Sequence, residues 1–220
     1  MSTEIDWAAR WREGRIGFHQ DAINDLLVEH WPTVTPDATC RVLVPLCGKS
    51  KDMLWLLGRG HSVLGVALSP IAVDSFFVEN GLEYVIEKRG AYQAFVGTGA
   101  ATGLTLIVGD FFGLSPEVLG GRFDAVYDRA AIVALPPDKW AMYAQVVSQL
   151  MAPRSAGFML TFDYPQNERN GPPFSVGFHD VKGCFEPGWA VELIDTMELT
   201  SGNRWELSRL QEPVIHLSRG

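Results

Sequence analysis

A buried strand that ends in a glycine turn is the feature of this chain that most constrains its fold. The apolar run Val42-Leu43-Val44-Pro45-Leu46 leads into Cys47-Gly48, and a helix-forming segment begins directly afterwards. In open α/β sheets, ligands bind at the carboxyl ends of the strands, and a strand–glycine–helix turn builds a nucleotide-sized site there. The segment therefore predicts such a site at the end of the first core strand.

Gly48-Lys49-Ser50 is also how a phosphate-binding P-loop ends. A P-loop needs a second glycine five positions earlier, so that backbone N–H groups can surround the phosphates. That position is Leu43, inside the predicted strand. We therefore favour an adenosyl group beside Gly48, and keep an ATP-dependent phosphotransferase as an alternative.

Strand-like and helix-like segments alternate along the chain, which predicts an α/β fold with a mostly parallel sheet and helices on both faces. The last two strands have no clear helix between them, so we expect an antiparallel C-terminal edge. The predicted helices are 4–14, 21–30, 50–58, 70–79, 138–151 and 178–184. The predicted strands are 41–46, 62–68, a hairpin at 83–87 and 91–96, then 104–108, 123–128, 157–162, 189–197 and 204–218.

Composition excludes several classes of protein. The chain has 220 residues, a net charge of −8 and only 18 scattered basic residues, which argues against a nucleic-acid-binding face. Three cysteines form no CxxC pair, and the five histidines lie far apart, so we expect a reducing cytoplasm and no metal site. Neither a signal peptide nor a membrane span is visible. We expect one cytoplasmic, monomeric domain over 1–220.

Several residues at predicted strand ends are candidates for ligand binding. Asp110 and Phe111 suit an adenine pocket, although a turn residue beside a core phenylalanine explains them equally well. Arg129 is costly to bury unless it is paired. It could bind the carboxylate of a cofactor, lie near the second substrate or form a salt bridge with Asp128. His19 is a base candidate, with packing or capping as the alternative.

The order of these motifs resembles the thiopurine S-methyltransferase family. The matching segments are Trp7-x3-Trp11, Gly14 to Gln20, Val42 to Asp52, Gly109-Asp110-Phe111-Phe112, Tyr127 to Ala131 and Gly171-Pro172-Pro173-Phe174. They span about residues 7 to 176. The resemblance implies a Rossmann-like class I methyltransferase fold with a seven-stranded sheet, and S-adenosylmethionine as the methyl donor.

The resemblance also divides the chain into regions with separate roles. It implies an N-terminal helical lid over 1–32, a cofactor-binding core over 41–163, and an acceptor-pocket loop and edge over 164–220. The predicted cofactor site comprises Trp7, Trp11, Leu46, Gly48, Ala67, Asp110, Phe111 and Arg129. The predicted acceptor site comprises Phe18, Pro172, Pro173, Phe174 and Arg204.

The expected reaction is methyl transfer to a small soft nucleophile, either a thiol or thiopurine or a selenium or tellurium compound, with S-adenosylhomocysteine as the product. Aromatic lid residues would attract the sulfonium cation and exclude water, although simple packing also explains the tryptophans. Arg129 would position the reactants. An acidic thiol supplies its own thiolate, so no dedicated base is predicted, and catalysis would be mostly alignment.

Two departures from the family pattern affect the predicted site. Where the family has an acid for the ribose hydroxyls, at the end of the second strand, this chain has Ala67. Ser69 could substitute, cofactor affinity could be lower, or the protein could be a non-catalytic methyltransferase-fold binding protein. The family arginine before the last strand has only Arg204 as a local candidate, so the acceptor is weakly constrained.

Overall fold

A mixed sheet places the carboxyl end of its first strand at the centre of the molecule. The computed structural model describes residues 5–35, 39–186 and 188–220. Within these residues nine strands pair in the order β3-β4-β5-β2-β1-β6-β7-β9-β8. The strands are β1 (Arg41–Val44), β2 (Ser62–Ala67), β3 (Glu83–Arg89), β4 (Tyr92–Thr98), β5 (Leu104–Val108), β6 (Phe123–Arg129), β7 (Met151–Leu160), β8 (Ala190–Glu198) and β9 (Gln211–Ser218).

Helices cover both faces of this sheet. They are α1 (Trp7–Arg12), α2 (Asp25–Val34), α3 (Asp52–Gly58), α4 (Pro70–Glu79), α5 (Pro116–Leu119), α6 (Trp140–Leu150) and α7 (Phe178–Phe185). Apolar residues of α2, α3 and α4 form one core layer, and those of α6 and α7 form the other. The central strands are buried on both sides, as their uninterrupted apolar runs require.

The chain reverses its direction across the sheet at β1. β1 pairs in parallel with β2 on one side and with β6 on the other. The connections from β1 and β6 therefore lead to opposite faces, and a crevice opens at the carboxyl end of β1. The sequence places Leu46, Gly48 and the start of α3 there.

The predicted fold class is confirmed in its central parallel strands and its antiparallel C-terminal edge. The sheet has nine strands instead of the predicted seven, because the β3–β4 hairpin continues it beyond β5 in antiparallel pairing. The hairpin itself was predicted. β9 begins at Gln211 rather than at residue 204, and the residues before it form a loop.

Pro32 lies inside α2, although the sequence predicted that the helix would end before it. A proline removes one backbone donor and clashes most in the middle of a helix. Here it lies in the last turn, which the Thr35 hydroxyl caps by donating to the carbonyl of Trp31 at 2.8 Å. The buried Trp31 and Val34 hold this turn against the sheet. The first residue of the helix predicted over 4–14 lies outside the described residues.

A buried carboxylate fixes the end of β6. Asp128 is 1% exposed and accepts hydrogen bonds from the Tyr143 hydroxyl at 2.7 Å and from the backbone N–H of Ala131 at 2.9 Å. Burial raises the pKa of Asp128 to about 6, and these donors act in the opposite direction. The folded state therefore favours the protonated form of Asp128. The resulting contribution to the free energy of unfolding is present at low pH and is lost as the pH rises through about 6.

Replacing Tyr143 with phenylalanine removes one donor to this carboxylate. We expect Tyr143→Phe to lower the free energy of unfolding by about 1–3 kcal/mol at pH 8, where Asp128 is ionised. The loss should be smaller at pH 5, where the carboxyl is protonated. Urea denaturation at both pH values measures the difference. An equal loss at the two pH values would contradict this account of Asp128.

Candidate active site

A cavity of about 1150 Å³ opens at the carboxyl ends of the central strands. Its walls include Leu46 and Gly48 after β1, Ala67 at the end of β2, Asp110 after β5 and Arg129 at the end of β6. The volume suits a ligand at least as large as a typical drug. The crevice predicted from the strand–glycine turn is therefore present.

Most of the predicted site residues line this one cavity. They are Trp7, Trp11, Phe18, Leu46, Gly48, Ala67, Asp110, Phe111, Arg129, Pro172, Pro173 and Arg204. Phe174 is not on the wall, although its neighbours are, because its backbone N–H donates to the carbonyl of Val133 at 2.7 Å and its ring lies against Gly171. Ser69, the suggested substitute for the missing acid, is buried and also lies off the wall.

Three aromatic rings of the N-terminal segment cover the cavity. The Phe18 ring meets Trp7 and Trp11 edge to face, at centroid distances of 5.5 and 5.7 Å. Trp11 lies directly over the β1 turn, since a Cβ built on Gly48 would come within 3.2 Å of its ring. Arg204 donates to the carbonyl of Gly17 at 2.8 Å. This bond ties the C-terminal loop to the N-terminal segment.

The residues that a P-loop would use for phosphate have other partners. The Lys49 ammonium donates to both carboxylate oxygens of Glu79 at 2.7 Å. The Ser50 hydroxyl donates to Asp52 at 2.9 Å. Neither side chain is free to bind a nucleotide phosphate or its metal ion.

The turn after β1 uses left-handed backbone conformations. Leu46 has a φ of 45° and Gly48 a φ of 52°, and Ala130, next to Arg129, has a φ of 64°. L-residues rarely adopt this region, and such positions concentrate at functional sites. Both strand ends that flank the crevice therefore carry strained residues on the cavity wall.

Arg129 is held by three side chains at the base of the cavity. Its Nε donates to Asp52 at 2.7 Å, one terminal nitrogen to the Ser50 hydroxyl at 3.0 Å and the other to the Gln20 carbonyl oxygen at 2.9 Å. Burial lowers the pKa of Arg129, but the combined effect of Asp52, Tyr127 and Glu212 raises it above its ordinary value. Asp52, and not Asp128, is the partner that compensates the buried charge.

Asp52 itself is fully buried and saturated with donors. Besides Arg129 and Ser50, it accepts from the Tyr127 hydroxyl and from the backbone N–H of Asn24, each at 2.9 Å. The network therefore connects the segment before α2, the turn after β1, the start of α3 and β6.

Asp110 offers a free carboxylate oxygen to the cavity. One oxygen accepts from the Phe112 backbone N–H at 3.0 Å and caps the turn after β5, while the other has no hydrogen-bond partner among the described residues. The Phe111 ring is only 2% exposed and packs 5.4 Å from Tyr143. Little of its face is left for stacking on a base.

Two further titratable residues of the cavity wall are poor candidates for a nucleophile or a base. Burial raises the pKa of the Cys47 thiol to about 12, so it is not a nucleophile near neutral pH. Burial lowers the pKa of His19, whose ring contacts the Asp21 carboxylate at 3.1 Å. A neutral, partnered histidine agrees better with a structural role than with a dedicated base.

The sequence did not identify several residues that define the site. Asp52, Ser50 and Gln20 orient Arg129, and Arg169 and Glu212 also line the cavity. Asp52 and Gln20 stand within the motifs that carried the family resemblance, which was the available signal. Nothing in the sequence near Glu212 marks it as part of the site.

Comparison with known proteins identifies the family. The family model of thiopurine S-methyltransferase matches residues 2–220. The chain belongs to the thiopurine S-methyltransferase family. It is 44% identical over 215 residues to the thiopurine S-methyltransferase of Methylococcus capsulatus, a match that covers 96% of this chain and 95% of the relative. It is 41% identical to the thiopurine S-methyltransferase of Pseudomonas aeruginosa strain UCBPP-PA14, and this match covers 97% of this chain and 98% of the relative.

Solved structures support the fold of this family member. N-methyltransferase NodS of Bradyrhizobium japonicum, in complex with S-adenosylhomocysteine, has a TM-score of 0.67 at 8% identity and covers 96% of this chain and 97% of its own. The 1,6-didemethyltoxoflavin-N1-methyltransferase of Burkholderia thailandensis has a TM-score of 0.62 at 15% identity, over 97% of this chain and 85% of its own. The architecture is that of a class I methyltransferase, and S-adenosylmethionine is the methyl donor.

Several wall residues fit this donor. Asp110 presents a free acceptor oxygen, and the rings of Trp7, Trp11 and Phe18 suit a sulfonium cation. The guanidinium of Arg129 suits a carboxylate. Ala67 is the misfit, since a methyl group cannot accept hydrogen bonds from ribose hydroxyls.

Neutralising Asp52 should leave Arg129 buried without its ion-pair partner. We expect Asp52→Asn to lower the free energy of unfolding by about 3–5 kcal/mol, the range for breaking one member of a buried pair. Urea denaturation measures it. The control is Glu29→Gln, which removes the charge of an exposed α2 carboxylate that has no hydrogen bond or ion pair among the described residues, with a change below about 0.5 kcal/mol. If the two variants were equally stable, the network would not carry the role assigned to it.

Proposed function

We propose that this protein transfers the methyl group of S-adenosylmethionine to a small soft nucleophile, either a thiol or thiopurine or a selenium or tellurium compound. The observation that carries the proposal is the single cavity, which brings an aromatic lid, a glycine turn, a free carboxylate and a held arginine together. The names of the relatives support the thiopurine class.

Two groups of wall residues would bind the donor and the acceptor. Trp7, Trp11, Leu46, Gly48, Ala67, Asp110, Phe111 and Arg129 form the proposed donor site, and Phe18, Pro172, Pro173 and Arg204 form the proposed acceptor site. Phe174 would act indirectly, by holding the cis-proline loop through its bond to Val133.

When bound, S-adenosylmethionine supplies an electrophilic methyl group on a sulfonium centre. The lid of Trp7, Trp11 and Phe18 excludes water from that centre, which favours the desired nucleophile over hydrolysis. Arg129 is immobilised by Asp52 and Gln20, so it orients an anionic group without a reorganisation cost. Alignment of the acceptor with the methyl group is thus the main contribution of this chain.

The cavity wall carries cationic residues, although the chain as a whole is acidic. Three of them pair with acids that do not line the cavity: Arg15 with Glu13, Lys49 with Glu79 and Arg129 with Asp52. The other wall cations are Arg10, Lys139, Arg169 and Arg204, against the wall acids Asp110, Asp138 and Glu212. This near balance of charge suits an acceptor of low net charge.

We further propose a monomeric, cytoplasmic protein that folds as one domain over 1–220. None of the helices within the described residues is long and apolar enough to cross a membrane. The acidic composition gives no support to a nucleic-acid partner.

Calorimetric titration with S-adenosylhomocysteine tests the proposed donor site, with ATP plus magnesium as the control. We expect binding of the former alone, because Lys49 and Ser50 are bonded to Glu79 and Asp52. Binding of ATP would favour the phosphotransferase alternative. Binding of neither would favour the non-catalytic binding protein.

Restoring a carboxylate at position 67 should strengthen donor binding. We expect Ala67→Glu to lower the dissociation constant of S-adenosylhomocysteine by the equivalent of roughly 0.5–3 kcal/mol, the range for one hydrogen bond up to a charge-assisted one. Ala67→Gln is the matched control, since it adds the same volume without charge and should gain less. If both variants bound more weakly than the wild type, the ribose would not lie beside residue 67.

A further inference from the structure

A carboxyl group with no assigned role lies on the acceptor side of the cavity. Glu212 is the second residue of β9 and faces Met197 of β8. Its neighbour Pro213 accepts from the backbone N–H of Thr161, and Val214 is paired with Leu160, the last residue of β7. Glu212 therefore projects one step beyond the carboxyl end of β7, on the same face as Val214, where it lines the cavity.

Glu212 has no partner of its own. Among the described residues, no backbone or side-chain group donates a hydrogen bond to it, and no cation lies within 4.0 Å. The charge of Arg129 reaches it, but the hydrogen bonds of Arg129 go to Asp52, Ser50 and Gln20, and none goes to Glu212. Its carboxylate is therefore open to a ligand in the cavity, and a titratable group that lies in a cleft with a perturbed pKa is a candidate for function.

The surroundings of Glu212 set its protonation. Burial raises the pKa of Glu212 to about 7, and Arg129 opposes that shift. The groups that face it are Arg129 and the Tyr127 hydroxyl from β6, with Asp52 from α3 behind them. Arg204 of the C-terminal loop and His19 of the N-terminal segment line the same cavity. A carboxyl group with this pKa can both accept and release a proton near neutral pH.

We propose that Glu212 accepts the proton of a neutral thiol or thione acceptor during methyl transfer. This inference rests on the proposed function and deepens it, because it assigns a proton acceptor where the sequence predicted none. It also defines the acceptor class: a nucleophile that carries its proton on sulfur, or on a ring nitrogen conjugated to the sulfur, when it enters the cavity.

The proposed step balances in atoms and charge. The acceptor sulfur forms the new bond to the methyl carbon, and the bond from that carbon to the sulfonium sulfur breaks, its electron pair remaining on the departing thioether. The proton of the acceptor moves to the Glu212 carboxylate. Proton transfer to solvent after product release restores the carboxylate.

The first experiment compares Glu212→Gln with the wild type on two acceptors. With 6-mercaptopurine, which carries a proton near neutral pH, we expect a loss of about 10²-fold or more in kcat/KM, the usual effect of removing a general base. With 5-thio-2-nitrobenzoate, already a thiolate, we expect a change below about tenfold. Glu192→Gln is the matched control, the same substitution at an exposed position of β8.

The pH profile gives a second result of the same comparison. Since the carboxylate is the active form, kcat/KM of the wild type with 6-mercaptopurine should fall as the pH drops below about 7. In Glu212→Gln the fall of kcat/KM at low pH should instead follow the pKa of the acceptor, because only the ionised acceptor can then react. Glu212→Asp should restore part of the activity and the original pH dependence.

Binding provides a readout that does not depend on turnover. In the presence of saturating S-adenosylhomocysteine, Glu212→Gln should bind 6-mercaptopurine about tenfold or more weakly by calorimetry, as expected for a lost charge-assisted hydrogen bond. Binding of the S-methylated product, which has no such proton, should be unchanged.

Equal losses on both acceptors, or an unchanged pH profile in Glu212→Gln, would overturn the assignment. Those outcomes are distinct from a failure of the proposed function, in which the wild type would neither bind S-adenosylhomocysteine nor methylate either acceptor. Each variant should bind S-adenosylhomocysteine as the wild type does, and a variant that does not would contradict the placement of Glu212 on the acceptor side.

Discussion

The buried ion pair between Asp52 and Arg129 is the interaction on which the rest of the site depends. Asp52 accepts four hydrogen bonds from three separate parts of the chain, and none of its surface is exposed. A buried charge is tolerated only when it is paired and fully hydrogen-bonded. The fold therefore reaches its stable form only when the turn after β1, the start of α3 and the end of β6 take the positions that also shape the cavity.

The Asp52 network both stabilises the fold and holds the Arg129 guanidinium in a fixed orientation. Arg129 is held from one side by α3 and from the other by Gln20, which belongs to the lid segment. The position of the N-terminal segment and the orientation of the guanidinium are therefore coupled. The left-handed residues Leu46 and Ala130 lie at the two strand ends that the network joins.

The fold could largely be predicted from the sequence because its signals are local. Alternating apolar strands and the Ser69-Pro70 start of α4 placed most elements within a few residues, and the motif order gave the fold class. Pro32 was misjudged because the burial of Trp31 against the sheet, a tertiary contact, outweighs the cost of a proline in the last turn. The predicted number of strands in the sheet was too low, because no sequence signal in or near the β3–β4 hairpin indicates that it pairs with β5.

The candidate site was predictable only where residues stand at the ends of core strands. Gly48, Asp110 and Arg129 fall there by topology, and the structure brings them to one cavity. The partner of Arg129 was missed because Asp52 begins a helix instead of ending a strand. A contact between residues 77 positions apart also cannot be recognised from a single sequence. Glu212 was missed for the same reason, since only the antiparallel return of β9 carries it to the cavity.

A crystal structure of the protein with S-adenosylhomocysteine tests the central claim most directly. We expect an adenosyl group beside Gly48 with its base at Asp110, and an amino-acid end near an Arg129 that is still bonded to Asp52. A ligand bound elsewhere, or an Arg129 released from Asp52 in the complex, would contradict it.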